Sequence, residues 1–458
     1  MSKLKTELRK YLLGSIFIAS CLLGGGTAPS LWTDTLLQIL ILLFATPVLA
    51  SREGEPVDKS VLWLCGLVVA ALLIQMIPLP AGLVGMFRDS LLLAGRSETA
   101  SVEFASLGLG RTLEASLYVI VLLILLLALL RMPGEQLHAL LPFLLVGVAC
   151  NGVAGLIQYS AASSVAINDL LPFTIHAGFF ANRNHFTSLI YMALPFLVYL
   201  ATFAGARLWA FLSMFLLLLV LLAAGSRAGI LLGFAAVILS VFFFASRSRA
   251  TISSIIGFAV VLGIYSMGTF AMLEARDLTD LSRTEFARTT LEGIKDNWLL
   301  GVGYGNFQAA YQVYENPGMV FRSYVNHAHN DFLEIIFEGG IAATLLLCAY
   351  LWLLLKQLVR FRHSHFHKAA FLGILFILIH SVVDYPLRTM ALATAFVYFN
   401  AILFHRELQP QGRHIKGVVE MRDGKRKKRL LVEKQESTDA DASRTAQRTR
   451  SGKNRTPV

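Results

Sequence analysis

The chain has 458 residues, 56% of them hydrophobic and 15% charged, with a formal net charge of +11. Its apolar residues come in long unbroken runs instead of the three-or-four spacing of soluble helices, which excludes an ordinary soluble enzyme and places the chain in a membrane. Cys21, Cys65, Cys150 and Cys348 lie far apart within apolar runs, a pattern that offers neither a disulfide frame nor a metal site.

Crossing the hydrocarbon core takes roughly 17–25 apolar residues. On that criterion spans are predicted near 11–26, 32–50, 61–79, 112–130, 137–161, 186–206, 208–224, 229–246, 252–272, 332–355, 369–383 and 390–404. The expected fold is all-α and polytopic, a transmembrane domain over 1–404 with about 12 helices. The first apolar stretch follows Lys3, Lys5, Arg9 and Lys10 and lacks a small-x-small cleavage site, so it reads as the first span rather than a signal peptide. An even count puts both termini on one side. With the N-terminus inside, the inside loops hold 14 Lys and Arg in about 45 residues and the outside loops 11 in about 130. The positive-inside tendency then makes both termini cytoplasmic. The tail 405–458 holds 15 more, including Lys425-Arg426-Lys427-Lys428-Arg429. It is expected to be disordered and to meet solvent or membrane lipid headgroups, not nucleic acid.

One loop, 273–331, separates spans nine and ten on the outside, and loops of that length are usually functional. Within it Ala287, Leu291, Ile294 and Trp298 recur at helical spacing opposite Glu285, Arg288, Glu292 and Lys295. This predicts an amphipathic helix lying on the membrane or capping the bundle. The helix runs into Gly301-Val302-Gly303-Tyr304-Gly305-Asn306-Phe307, a set of turns. The spacing is not the dinucleotide fingerprint and no strand precedes it, so no cofactor is expected.

With orientation fixed, the polar residues unusual for loops fall on the outside. Arg183 opens span six and Arg227 lies in the short link Gly225-Ser226-Arg227-Ala228-Gly229. Arg283 and Arg288 flank the start of the loop helix. His327, His329, Asn330 and Asp331 close the loop, and Glu334 and Glu338 follow one and two turns into span ten. Asp384 and Arg388 bracket Tyr385-Pro386 between the last two spans. Singly these have plain roles: a snorkelling arginine, an N-cap at Ser226, a local Asp384–Arg388 pair holding a turn. Together, arginines set against the positive-inside tendency ask for an anion, and the planar guanidinium fork suits phosphate. A phosphate-rich ligand presented from the membrane points to a polyprenyl-diphosphate sugar donor. Transfer of its glycan to a hydroxyl needs a base and cations for the departing diphosphate. The histidines supply a base with an unperturbed pKa near 6.5. No Asp-x-Asp-like pair stands in a loop, so no metal is expected. A polysaccharide transporter would instead carry ionisable residues at the midplane of its spans, where this chain has little beyond Glu338.

These segments resemble, in order, the core of the O-antigen ligase superfamily. The resemblance rests on Gly-Ser-Arg-Ala-Gly-Ile-Leu at 225–231, on Arg283 through the glycine run 301–307, and on His329-Asn330-Asp331-Phe332-Leu333-Glu334 followed by Glu338-Gly339-Gly340. It covers about 182–345, with Asn182-Arg183-Asn184 and, more weakly, Asp384-Tyr385-Pro386-Leu387-Arg388. It implies an inverting, metal-independent glycosyl transfer from an undecaprenyl-diphosphate glycan to lipid A core or a growing glycan, on the periplasmic face of the bacterial inner membrane. The family's His-Asn pair falls on His329 and Asn330, which prefers His329 over His327 as base. Its span-end arginine falls on Arg227 and its loop arginine on Arg283 or Arg288. The resemblance thus implies His329, Arg227 and Arg288 as catalytic residues. Substrate binding is expected of Arg183, Arg283, His327, Asn330, Glu338, Asp384 and Arg388, the other polar residues on the outside. The ligase pattern's glycine falls on Gly340, but Ala343 stands where ligases carry Gly, Thr or Tyr. Ligase, O-antigen polymerase and exopolysaccharide polymerase therefore stay open, and protein O-oligosaccharyltransferases share the same core.

Overall fold

The computed structural model describes residues 2–28, 30–52, 54–88, 101–160, 177–244, 281–319, 324–361 and 364–405. The predicted ninth span and the basic tail beyond His405 lie outside the described residues. The described chain is almost entirely helical. The first half holds α1 (Ser2–Leu23), α2 (Trp32–Leu49), α3 (Lys59–Ile74), the short α4 (Ala81–Gly85), α5 (Leu109–Leu130), the short α6 (Gly134–His138) and α7 (Leu141–Ser160). Then come α8 (Arg183–Phe203), α9 (Arg207–Ala224), α10 (Arg227–Phe244), α11 (Leu281–Asp296) and α12 (Phe307–Tyr314). The series ends with α13 (Asp331–Arg360), α14 (His365–His380) and α15 (Met390–Phe404).

Seven helical stretches are long and apolar enough to cross a membrane: α2, α5, the run Gly134–Ser160, α8, α9, α10 and α13. Helices α3, α14 and α15 are apolar but shorter. The chain is thus a multi-pass membrane protein, and the described residues hold seven spanning-length helices where twelve spans were predicted. The shortfall has a physical basis. Lys and Glu in the first turns of α1 lower its apolarity, and α14 ends and α15 begins at the turn that carries Asp384 and Arg388, which shortens both.

Helix α8 is the central member. Every residue from His185 to Val198 is buried, and it packs against α9, α10 and α14. An all-round apolar sequence belongs in such an enclosed position. Its start is fixed by Asn182, whose side chain accepts the Asn184 N–H at 2.8 Å, an N-cap. The link from α9 to α10 is built the same way. Gly225 takes the left-handed conformation that ends α9 (φ 63), and Ser226 Oγ accepts the Gly229 N–H at 3.1 Å to begin α10.

Over the start of α13 sits a second, smaller core made by Phe286, Val302, Phe307, Tyr311, Val325 and Phe337 with two alanines. It is the body of the large loop. Helix α11 exists as predicted, but its buried stripe is rotated from the one expected. Phe286, Thr289, Thr290, Gly293 and Asn297 face inward, while Leu291 and Trp298 are exposed. Thr290 and Asn297 are buried with donor groups paired, Thr290 Oγ1 donating to Phe286 O and Asn297 Nδ2 to Gly293 O and to Tyr314 OH.

The glycine run clasps a break in α13. Gly340 has φ 58 and ψ −144 inside that helix, and a side chain there would meet the Leu299 carbonyl at 2.5 Å. Gly301 (φ 68) lies against the Glu338 carbonyl in the same way, at 2.3 Å from a would-be Cβ. Only glycine fits either place. Val302 N–H and Gly303 N–H donate to the carbonyls of Phe337 and Glu338, which the break frees. A three-residue antiparallel ribbon, β1 (Pro78–Pro80) with β2 (Val102–Phe104), braces this clasp from the loop after α3. The Arg88 guanidinium donates to the Ala105 and Gly301 carbonyls. So short a ladder leaves no alternation to read in the sequence.

Candidate functional site

Asp384, fully buried in the turn between α14 and α15, is the point where the predicted motifs meet. Its Oδ2 accepts Asn184 Nδ2 at 2.7 Å, and Asn184 Oδ1 accepts the Ser226 hydroxyl at 2.8 Å. The N-terminal ends of α8 and α10 are thereby joined to the last turn. Arg283 of α11 reaches Oδ2 at 3.4 Å. His185 Nε2 and His329 Nδ1 approach Oδ1 at 3.5 and 3.4 Å, and His380 Nε2 stands 3.9 Å from Oδ2. Burial pushes the Asp384 carboxyl up, but the neighbouring imidazoles of His185, His329 and His380 overcome it and hold the group well below the usual carboxylate range. Asp384 is thus a buried anion kept charged by its ring of donors. His380 is steadied from behind, its Nδ1 lying 2.8 Å from both Ser188 Oγ and Tyr191 OH.

His329 has φ 49, left-handed backbone rare for a residue with a side chain. The geometry aims its ring back under the loop. The ring stacks on Phe286 (centroids 5.4 Å apart) and meets Tyr385 edge-on (4.9 Å). Nδ1 faces Asp384 at a distance longer than a formed hydrogen bond, as is common before substrate tightens a site. Asn330, next in sequence, is the cap of α13: its Oδ1 accepts the Phe332 and Leu333 N–H groups and its Nδ2 donates to Val382 O. A cavity of about 770 Å³ opens here, lined by His329, Asn330, Arg283, Arg288, Lys295 and Glu292 among others. Its charged rim has three cations to one carboxylate. Arg288 is 73% exposed and makes only a surface contact with Glu292 at 3.5 Å, so its charge is spent weakly.

Arg388 lies elsewhere. Its guanidinium contacts Glu334 and Glu338, both at 3.3 Å, and Asp331 at 3.7 Å. Burial alone would lower the Arg388 pKa, but Glu334, Glu338 and Asp331 raise it, so the cation is permanent and already neutralised. The expected Asp384–Arg388 pair does not form; each has its own partners. Glu338 also accepts the Gly305 and Phe307 N–H groups at 2.9 and 3.3 Å, tying the glycine clasp to this cluster. His327 Nδ1 lies 2.7 Å from Glu334 Oε1. Its ring leans on Tyr385 (4.3 Å). Tyr385 therefore touches the rings of both histidines. His327, Glu334, Glu338 and Arg388 face a second cavity, of about 1220 Å³, bordered by α2, α3, α5, α13 and α15.

Arg283, Arg288, His329 and Asn330 line the first cavity, and His327, Glu338 and Arg388 the second, with Asp384 buried 3.4 Å from His329 Nδ1. Arg227 begins α10 beside Ser226, and Arg183 begins α8 at an exposed position beside the Asn184 hub. Among the described residues no group of three or more His, Cys, Asp or Glu is arranged to hold a metal ion. The sequence reading passed over Asn184, His185, His380 and Tyr385. The signal for Asn184 and His185 was present, since both belong to the same polar run as Arg183. His380 closes an apolar segment, where one histidine looks like an ordinary helix end.

No curated protein matches the chain. Residues 212–348 match the sequence model of the O-antigen ligase family, a stretch that runs from within α9 into α13 and contains Arg227, Arg283, Arg288, His327, His329 and Glu338. Over that stretch, less than a third of its length, the chain carries an O-antigen ligase family domain.

Proposed function

We propose that the protein transfers a glycan from an undecaprenyl-diphosphate carrier to a hydroxyl acceptor, at the end of the bundle that faces out of the cytoplasm. The observation that carries this reading is the basic cavity beside His329, with Arg283 and Arg288 on its wall and the Asp384 anion behind it. Asp384 favours the tautomer with hydrogen on Nδ1, which leaves Nε2 as the proton acceptor. The acceptor oxygen attacks the anomeric carbon and the carbon–oxygen bond to phosphate breaks. The bonding pair leaves with the diphosphate, and the hydroxyl proton goes to Nε2. Arg283, Arg288 and Arg227 meet the charge that grows on the diphosphate, and Asp384 stabilises the imidazolium. Attack opposite the leaving group inverts the anomeric centre. Ala343, at a position where the ligase pattern has Gly, Thr or Tyr, favours a second reading in which the acceptor is the growing glycan of a polymerase rather than lipid A core.

The test is transfer by purified protein from a polyprenyl-diphosphate glycan. His329→Ala should lose on the order of 10² to 10⁴ in rate, the range for deletion of a general base, with donor binding retained; His327→Ala should lose less. Wild-type activity should survive EDTA. Full activity in His329→Ala, or EDTA inhibition reversed by added divalent metal, would remove the histidine-base mechanism.

A further inference from the structure

The second cavity has a charge character opposite to the first. Asp34, Glu114, Asp331, Glu334 and Glu338 line it, against the cations Arg111 and Arg388. Arg388 is already held by three of those carboxylates, so its fork is not available to a phosphate. Most of the remaining wall is apolar, supplied by leucines and valines of α3, α5 and α13 and by Phe396 of α15. At about 1220 Å³ it exceeds the roughly 300–1,000 Å³ typical of small-molecule pockets. Asp34 Oδ1, on this wall, is shielded from solvent and has no hydrogen-bond partner among the described residues, and such an atom calls for a donor. Glu114 Oε1, nearby on the same wall, accepts from Ser30 N–H and Oγ at 3.0 and 2.8 Å.

We propose that this cavity binds an amphiphile with an apolar chain and an uncharged, hydroxyl-bearing head, and that its carboxylate-rich wall turns phosphate away. Hydroxyls donate to Asp34 and to the outer faces of the carboxylates, while the chain lies along α5 and α13. A phosphate would have to enter against a formal excess of negative charge, five carboxylates against the two guanidinium groups of Arg111 and Arg388. The head then stands beside His327, whereas His329 lines the basic cavity. Sugar hydroxyls are what an acceptor must offer, so the assignment deepens the transfer reading and rests on it only for the role of acceptor.

The experiment uses the full-length protein in nanodiscs of zwitterionic lipid and two photoaffinity probes with the same diazirine-bearing dodecyl chain, one a glucoside and one a phosphate. Labelled peptides are read by mass spectrometry, without turnover, so a failure of transfer leaves the result intact. The glucoside should label α5 and the segment 341–350 at least tenfold more than the phosphate does. Leu347→Trp, which fills the cavity, should cut that labelling at least tenfold. Leu345→Trp on the exposed face of α13 (63% exposed) should not, which separates a filled cavity from a damaged fold. Asp34→Asn combined with Glu114→Gln should raise phosphate labelling. Equal labelling by the two probes, or labelling unchanged in Leu347→Trp, would overturn the assignment.

Discussion

Arg227 leaves the first turn of α10 next to Ser226, whose hydroxyl reaches Asn184 and through it Asp384. If it grips diphosphate with two parallel N–H groups, a point charge will not replace it. Arg227→Lys should then be nearly as inactive in glycan transfer as Arg227→Ala at equal expression. Near wild-type product from the lysine variant would reduce Arg227 to a snorkelling side chain. Asp384 makes a prediction about pH. Its folded pKa is depressed well below the ordinary value of 3.8, so its contribution to stability is complete above about pH 4, where the unfolded carboxyl is ionised. It is lost only as pH falls through the lower folded value. Asp384→Asn should lower the unfolding temperature of detergent-solubilised protein at pH 7, and the gap from wild type should persist at pH 5. A gap already closed at pH 5 would mean that Asp384 is not held as an anion. The polar residue types at the site were legible in sequence. Which carboxylate each arginine meets was not, because Arg283 and Asp384, or Arg388 and Glu334, are brought together only by folding.

At the level of the element, α11 separates pattern from packing. Its apolar stripe in sequence is Ala287, Leu291, Ile294 and Trp298, yet the face that packs is centred on Phe286 and Gly293. A membrane supplies an apolar surround for Leu291 and Trp298, so the rule that apolar residues turn toward protein no longer picks one face. Phe286→Ala should cost about 3–5 kcal/mol, as for a core aromatic, and open the loop to limited proteolysis. Leu291→Ala should stay within about 0.5 kcal/mol; the reverse order would restore the sequence stripe as the packed one. The break in α13 offers a sharper contrast. Gly340→Ala combines a left-handed backbone with a clash on Leu299 O at 2.5 Å, and should cost more than about 1 kcal/mol. Gly82→Ala in α4, with nothing within 4 Å of a new Cβ, should be neutral or slightly stabilising. Thermal unfolding of the two variants measures the difference.

For the whole molecule, the orientation read from loop charges predicts that a cysteine at Glu315 reacts with a membrane-impermeant reagent from outside intact inner-membrane vesicles' periplasmic face, and that one at Arg429 reacts only from the cytoplasmic side. The opposite pattern would place the basic cavity in the wrong compartment for an exported lipid-linked glycan. The contacts at the far ends of the helices form a separate polar set: Arg360 with Asp58 at 3.5 Å and His405 with the Met132 carbonyl at 2.9 Å. The sequence by itself determined the membrane class, the helical content and the positions of the seven spanning-length helices. It did so because apolar runs and helix caps act within a few residues of one another along the chain. Only the tertiary structure decided that His329 and His327 line different cavities, that one cavity is basic and the other rich in carboxylates, and that Arg388 is neutralised while Arg288 is exposed. Those outcomes depend on side chains from helices up to two hundred residues apart, such as Asn184 and Asp384. The sign of the charge at a point in space is a sum over such neighbours, which no local pattern encodes.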